Sequence, residues 1–253
     1  MKQFVAVIII TGVILFRPAA AAERPKEDAW ATFIKAGFAY QEGRYDEAIV
    51  QYEHLLQQGR VSGALYYNLA NAYFKKGQLG KAILNYERAR ELLPRDSDVL
   101  SNYKLTLSQK EQNFPLPRKS MIQKTAEGAL NYYTVNELVV LTVVLMTMAG
   151  GLFLAALFFT WPRQKISFVI TACLTLSVLC AAGVIVKMHV RAGEGFAVSS
   201  TEARFEPRHD ATVHFTVKEG QKVKALKREG PWLKIERPDQ KTGWVEAGTV
   251  ELL

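Results

Sequence analysis

The sequence predicts a multidomain protein: an array of stacked helix pairs, a hairpin of two transmembrane helices, and a small all-β barrel. Three observations predict this organisation. A pattern of small and aromatic residues returns after 34 residues in the first half of the chain. Two long apolar runs without charged residues occupy the middle. Beyond Arg191, apolar and polar side chains alternate with a period of two.

The N-terminal end has the pattern of a secretory signal peptide, residues 1–22. Its apolar run, residues 4–16, follows Lys2 and is too short to span a bilayer comfortably. The alanines at 20–22 provide the small residues of a cleavage site. We expect cleavage after the last of these alanines, and an uncut membrane anchor is the alternative.

The repeat pattern predicts a helical domain over residues 23–112. Its clearest copy, residues 66–94, resembles the tetratricopeptide repeat, in which small residues let two helices approach closely and tyrosines fill the remaining space. Helices are expected over about 64–76 and 79–92, after a weaker copy at 29–62 and before one capping helix. The positions that carry the resemblance are Tyr66, Leu69, Ala70, Tyr73, Ala82, Tyr86, Ala89 and Pro94.

The tetratricopeptide resemblance implies a concave face lined by the first helix of each pair. Asn68 and Asn102 are 34 residues apart and therefore take the same position on successive helices. Asparagines there resemble those that hold the backbone or terminal carboxylate of a bound peptide. The alternative is that they satisfy helix ends or neighbouring repeats, and that the aromatics only fill space between repeats. The candidate peptide-binding residues are Tyr67, Asn68, Asn71, Phe74 and Asn102.

Residues 113–137 connect the repeats to the membrane. A proline-interrupted spacer comes first, and the stretch after it is either a short amphipathic helix along the lipid headgroups or a plain linker. Thr134 and Glu137 have the spacing of a capping box, which predicts that a helix begins directly after Thr134.

The two uncharged runs predict transmembrane helices at 138–161 and 166–187, joined by a tight loop at 162–165. Arg163 and Lys165 favour a cytoplasmic loop, which puts both larger polar regions on the periplasmic side of a bacterial inner membrane. Lys187 and Arg191 oppose this orientation, because they follow the second span on its predicted outer side.

Small residues indicate where the two spans are packed. These are Gly151 and Ala155 on the first span, and Cys173, Ser177 and Ala181 on the second. They predict either a seam within the hairpin or a seam between two copies of the chain.

Residues 192–253 predict a small barrel of short strands separated by turns. The segment resembles a bacterial Src-homology-3-like domain, although its loop at 203–208, "ARFEPR", departs from the family's usual "VRSGPS"-like loop. The resemblance implies binding of peptides or of cell-wall glycopeptide, with Trp232 and Trp244 as a candidate ligand groove; the alternative assigns one indole to the core. The matching residues are Gly220, Val223, Trp232, Ile235, Gly243, Trp244 and Val245.

We expect no enzyme activity, no catalytic residues, no metal site and no cofactor. No two of the four histidines have metal-ligand spacing on one helix, and the neighbours His209 and Asp210 accompany no recognisable nucleophile. The formal charge of +8 does not indicate nucleic-acid binding, because its surplus lies mainly at the ends of the apolar runs.

The order of signal peptide, tetratricopeptide pair, two spans and barrel resembles the BatE family of the bacterial Bat operon, which is named for aerotolerance. The resemblance implies protein partners, including von Willebrand A-type Bat proteins and a MoxR-type ATPase. Our first hypothesis is a membrane-anchored scaffold for protein–protein interaction. The alternative is an envelope sensor or cell-wall-binding protein whose barrel binds peptidoglycan.

Overall fold

The computed structural model describes residues 26–109, 120–158 and 163–253. These residues form eight α-helices and one seven-stranded antiparallel sheet, which confirms the fold class predicted from the sequence. The predicted signal peptide, residues 1–22, lies outside the described residues, as does the start of the predicted loop at Pro162.

The repeat domain contains five helices in which each helix packs against the next one along the chain. Gly43 and Gly77 end the first helix of each pair with positive φ angles of 77° and 73°, a backbone conformation that favours glycine. Asp96 caps the last helix by accepting hydrogen bonds from the backbone N–H groups of Asp98 and Val99. The helices are α1 (Lys26–Gln41), α2 (Tyr45–Gln57), α3 (Gly63–Lys75), α4 (Leu79–Leu92) and α5 (Ser97–Ser108).

The core of the repeat domain combines alanines with tyrosines. Because the alanine side chains are short, the helices come close enough for Tyr52, Tyr73 and Tyr86 to be almost completely buried between them. The alanines without exposed surface are Ala36, Ala39, Ala48, Ala70, Ala72, Ala82 and Ala89.

Three helices follow: α6 (Met121–Tyr132), α7 (Val135–Phe158) and α8 (Arg163–Arg191). By length and composition, α7 and α8 could each cross a membrane. The predicted capping box is confirmed, because the Glu137 N–H donates to Thr134 Oγ1 at 3.1 Å and the Thr134 N–H donates to Glu137 Oε2 at 2.8 Å.

The contact between α7 and α8 contains predicted small residues of α8, while Gly151 of α7 lies outside it, and a seam between two copies of the chain stays a prediction. Cys173 and Ser177 are buried in the contact with α7, as expected. On α7, however, Leu145 and Ala149 fill the contact, whereas Gly151 is exposed and a Cβ atom there would meet nothing within 4 Å. Leu145 and Ala149 are one turn apart, so together they occupy the face to which Gly151 does not belong.

The C-terminal barrel has the strand order β3-β2-β6-β5-β4-β1-β7 with antiparallel pairing throughout. Its core contains Val217, Val223, Ile235 and Val245, which are almost completely buried. The strands are β1 (Glu194–Ala197), β2 (Thr201–Arg204), β3 (Val213–Val217), β4 (Lys222–Glu229), β5 (Trp232–Glu236), β6 (Thr242–Glu246) and β7 (Val250–Leu252).

The barrel is in direct contact with the repeat domain. Ile83 and Leu84 of α4 are buried against Phe196 of β1 in one apolar cluster. At the edge of this cluster, the Gly80 N–H donates to a carboxylate oxygen of Glu219 at 2.7 Å. The two modules therefore share a small core of their own.

Two ion pairs connect the repeat domain with the hairpin, and a third charged group connects α8 with the segment between α6 and α7. Arg191 Nε lies 3.0 Å from Glu91 Oε1, and Arg95 forms an ion pair with Glu137. The buried ammonium group of Lys187 donates to the backbone carbonyl of Tyr133. Lys187 and Arg191, which opposed the predicted orientation, thus have structural partners, and α8 extends past the predicted span 166–187 at both ends.

Gly80→Ala should weaken the contact between the repeat domain and the barrel. An added Cβ would lie 2.5 Å from the Ala197 carbonyl oxygen and 2.9 Å from Val198 Cα, and these backbone atoms cannot give way cheaply. We expect the free energy of unfolding, measured by urea denaturation in detergent micelles, to fall by about 1–3 kcal/mol. The control is Gly37→Ala, where the new Cβ would be in ordinary contact at 3.8 Å from the Tyr52 hydroxyl. Equal stability of the two variants would contradict the close approach of α4 and β1.

Glu87 should make the stability of this region depend on pH. Burial acts to raise the pKa of the Glu87 carboxyl, but the hydrogen bonds and positive charge of Arg90 outweigh it and hold the pKa below its ordinary value. A lowered pKa in the folded state means that ionised Glu87 stabilises the fold at neutral pH, and that this stabilisation is lost as the pH falls through the folded-state pKa.

We therefore expect Glu87→Gln to reduce the free energy of unfolding by about 1–3 kcal/mol at neutral pH. The difference from the unchanged protein should shrink in urea titrations carried out at progressively more acidic pH. The control, Glu206→Gln, removes an exposed carboxylate paired with Arg208 and should change stability by less than about 0.5 kcal/mol. A penalty that stays constant down to acidic pH would refute the role assigned to the Glu87 charge.

Candidate protein-binding surfaces

The concave face of the repeat domain brings three of its five predicted residues into one hydrogen-bonded group. Asn102 of α5 donates from Nδ2 to Tyr67 Oη at 2.9 Å and to Asn71 Oδ1 at 3.2 Å. Asn71 Oδ1 also accepts a hydrogen bond from the Tyr86 hydroxyl at 2.5 Å. Because Asn102 Nδ2 already makes two bonds within the chain, a bound peptide carbonyl would have to replace one of them.

The other two predicted residues, Asn68 and Phe74, lie outside this group. Asn68 instead forms a hydrogen bond with Tyr52. Burial and, to a smaller extent, the nearby Tyr40 hydroxyl raise the pKa of the Tyr52 hydroxyl to about 12, while the hydrogen bond from Asn68 acts to lower it. Phe74 is half-buried and packs against the core of the repeat domain. Peptide binding by these five residues stays a prediction, and the structure adds that several of them also hold the repeats together.

Burial keeps the tyrosines of this domain protonated. Desolvation raises the pKa of Tyr86, and it raises that of Tyr73 together with the neighbouring Glu53 carboxylate, to which the Tyr73 hydroxyl donates. Both hydroxyls are therefore hydrogen-bond donors at any physiological pH. The Tyr86 hydroxyl of α4 holds Asn71 of α3, and the Tyr73 hydroxyl of α3 holds Glu53 of α2. Helix α3 is therefore bonded to both of its neighbouring helices through a tyrosine.

A second groove lies on the opposite side of α3, between α2 and α4. It encloses about 260 Å³ and ends at Glu251 of β7. Asn85 in its wall is buried, and among the described residues its Oδ1 atom accepts no hydrogen bond. The Lys81 ammonium lies 5.0 Å from the centre of the Tyr73 ring in the same groove. The sequence pattern did not single out this groove, because Glu251 reaches it only through the packing of the barrel.

The barrel places both predicted tryptophans largely inside. Trp232 is 7% exposed and Trp244 is 8% exposed. The His209 ring lies 5.0 Å from the Trp232 ring, and the Lys234 ammonium lies 5.9 Å from the centre of the Trp244 ring. Within the described part of the chain, both indoles are thus mostly covered. A ligand-binding role for the two residues stays a prediction.

The exposed aromatic surface of the barrel lies instead on Phe205 and His214. Phe205 is 58% exposed, and its ring stacks on that of His214 with 4.3 Å between the centroids. Phe205 belongs to the loop at 203–208 whose sequence departs from the family pattern. That departure was the one signal in the sequence that could have identified this patch.

Within the part of the chain that the structure describes, no three His, Cys, Asp or Glu side chains are grouped so that they could hold a metal ion. The residues of the surfaces described above provide hydrogen-bond donors, acceptors and aromatic rings. These are the groups that recognise peptides and other polar chains.

Comparison with known families finds two matches that agree with the observed modules. Residues 63–96 match the model of the tetratricopeptide repeat, and residues 199–251 match that of the bacterial SH3 domain. No curated protein matches the chain. The protein thus combines a tetratricopeptide repeat with a bacterial SH3 domain, two modules that suggest protein–protein interaction or cell-wall binding.

Proposed function

We propose that this protein is a membrane-anchored scaffold for protein–protein interaction and that it has no enzyme activity of its own. The proposal is based on α4, which belongs to the repeat domain and contacts both the barrel and the hairpin. Ile83 and Leu84 contact the barrel, Glu91 pairs with the end of α8, and the same helix completes the repeat domain. Such an arrangement holds two binding modules in a fixed relation to the hairpin.

The proposal includes a periplasmic location at a bacterial inner membrane and membership of the BatE family. The order of the modules along the chain supports the family, and the two apolar helices support the anchor. The orientation is supported by Arg163 and Lys165 between the two apolar helices, because positively charged residues are enriched in cytoplasmic loops. The expected partners are von Willebrand A-type Bat proteins.

A second candidate function is binding of peptidoglycan by the barrel. The exposed stack of Phe205 and His214 favours it, because aromatic faces bind the apolar sides of sugars and short peptides. This function uses a different surface from the concave face of the repeats, so the two candidates can be separated by substitution.

Asn68→Ala combined with Asn102→Ala should weaken capture of a co-expressed von Willebrand A-type Bat protein by the purified full-length protein. If both amides bond the partner's backbone, the loss of binding free energy is about 1–3 kcal/mol. The control is Asn131→Ala, which removes an exposed amide on α6. Unchanged capture by the double variant would exclude the concave site. Retention of the protein on purified peptidoglycan, abolished by Phe205→Ala, would favour the second candidate.

Protease treatment of intact spheroplasts should cut both polar modules while the membrane remains closed. Antibodies against the repeat domain and against the barrel report each module separately, and a cytoplasmic protein serves as the control for membrane integrity. The positive charges of Arg163 and Lys165 predict that the segment between the two apolar helices stays protected. Survival of both modules in closed spheroplasts, with digestion only after lysis, would refute the periplasmic location.

A further inference from the structure

Helix α6 has an apolar side that no other described part of the chain covers. Met121 is 77% exposed and Ile122 is 82% exposed, fractions similar to those of Phe158 and Phe168 on the two long apolar helices. Lys124 follows Ile122 by two residues, and at 100° per residue it points to the opposite side of the helix. The helix is therefore amphipathic, and the first turn of its apolar side lacks a partner within the described chain.

Contacts at the other end of α6 fix its depth relative to the hairpin. Leu130 Cδ2 lies 3.3 Å from the position that a Cβ atom would take on Gly183, and Leu138 Cδ1 lies 3.7 Å from it. Gly183 precedes Lys187 by one helical turn, which places it about 6 Å further into the apolar part of α8. Leu130 thus lies at the level of the first apolar turns of both spans.

Polar contacts mark the level just above. The carbonyl of Tyr133 accepts from the Lys187 ammonium, and Arg95 lies over the Tyr132 ring, 5.2 Å from its centre. Tyrosine rings with a cation above them are typical of the boundary between lipid headgroups and acyl chains. The contact of Leu130 with Gly183 therefore places the C-terminal end of α6 beside the apolar part of the hairpin.

We propose that α6 is a third membrane-contacting helix, half-buried in the bilayer interface, with Met121 and Ile122 among the upper acyl chains. The partner is the phospholipid bilayer, because the apolar side of α6 continues the surface that α7 and α8 present to lipid. The inference rests on the membrane anchoring proposed above. Of the two possibilities that the sequence left open for this segment, an interfacial helix and a plain linker, the inference favours the helix. The helix then gives the repeat domain a further attachment to the membrane.

Site-directed spin labelling of the full-length protein in phospholipid vesicles tests this assignment. In a Cys173→Ala, Cys180→Ala background, a nitroxide is placed by Ile122→Cys, by Lys124→Cys as the matched control on the opposite side, and by Val178→Cys on the exposed side of α8. Power saturation then compares collisions with oxygen, which concentrates in lipid, and with a water-soluble nickel complex. We expect oxygen to dominate at Ile122 and Val178, and the nickel complex to dominate at Lys124.

The three labels distinguish the failures. Nickel access at Ile122 equal to that at Lys124, with Val178 in lipid, would overturn the interfacial helix and leave the anchor intact. Nickel access at Val178 would overturn the anchor itself. An Ile122 label shielded from both reagents would show that a protein surface covers α6, which also overturns the inference.

Discussion

Helix α4 packs within the repeat domain, against the barrel and beside the end of α8, and the arrangement of the whole molecule depends on these three contacts. Ala82 and Ala89 are fully buried in the repeat domain. Ile83 and Leu84 face the barrel, where the missing side chain of Gly80 lets the β1–β2 connection approach. A helix packed on several sides cannot shift towards one neighbour without losing contact with another. The repeat domain, the barrel and the hairpin are consequently positioned together.

Apolar contact and ion pairs have different parts in this arrangement. The cluster of Ile83, Leu84 and Phe196 is buried and contributes through the removal of apolar surface from water. The pair of Arg95 and Glu137 is open to solvent, and such pairs contribute little to stability. Hydrogen bonds between charged groups nevertheless depend on direction. The ion pairs therefore favour one relative orientation of the modules, while the apolar contact holds the modules together.

Local signals in the sequence were enough to predict the repeat helices, the two long apolar helices, the capping box at Thr134 and the class of the barrel. These features depend on residues a few positions apart, and the sequence shows such relations directly. The contact of Gly80 with Glu219 and the bonding of Asn102 to Tyr67 could not be predicted, because they join distant segments after folding. The burial of the two indoles was left open for the same reason: alternation along a strand does not reveal which side chains will cover its ends.

The connection between the hairpin and the barrel is short. Helix α8 ends at Arg191 and β1 begins at Glu194, while Gly193 between them has a φ of 81° and lies so close to the Ala225 carbonyl that no side chain would fit. A linker of this length has almost no freedom to absorb torsion. Torsion of α8 about its long axis would therefore pass directly to the barrel and, through the contact of Phe196 with α4, to the repeat domain.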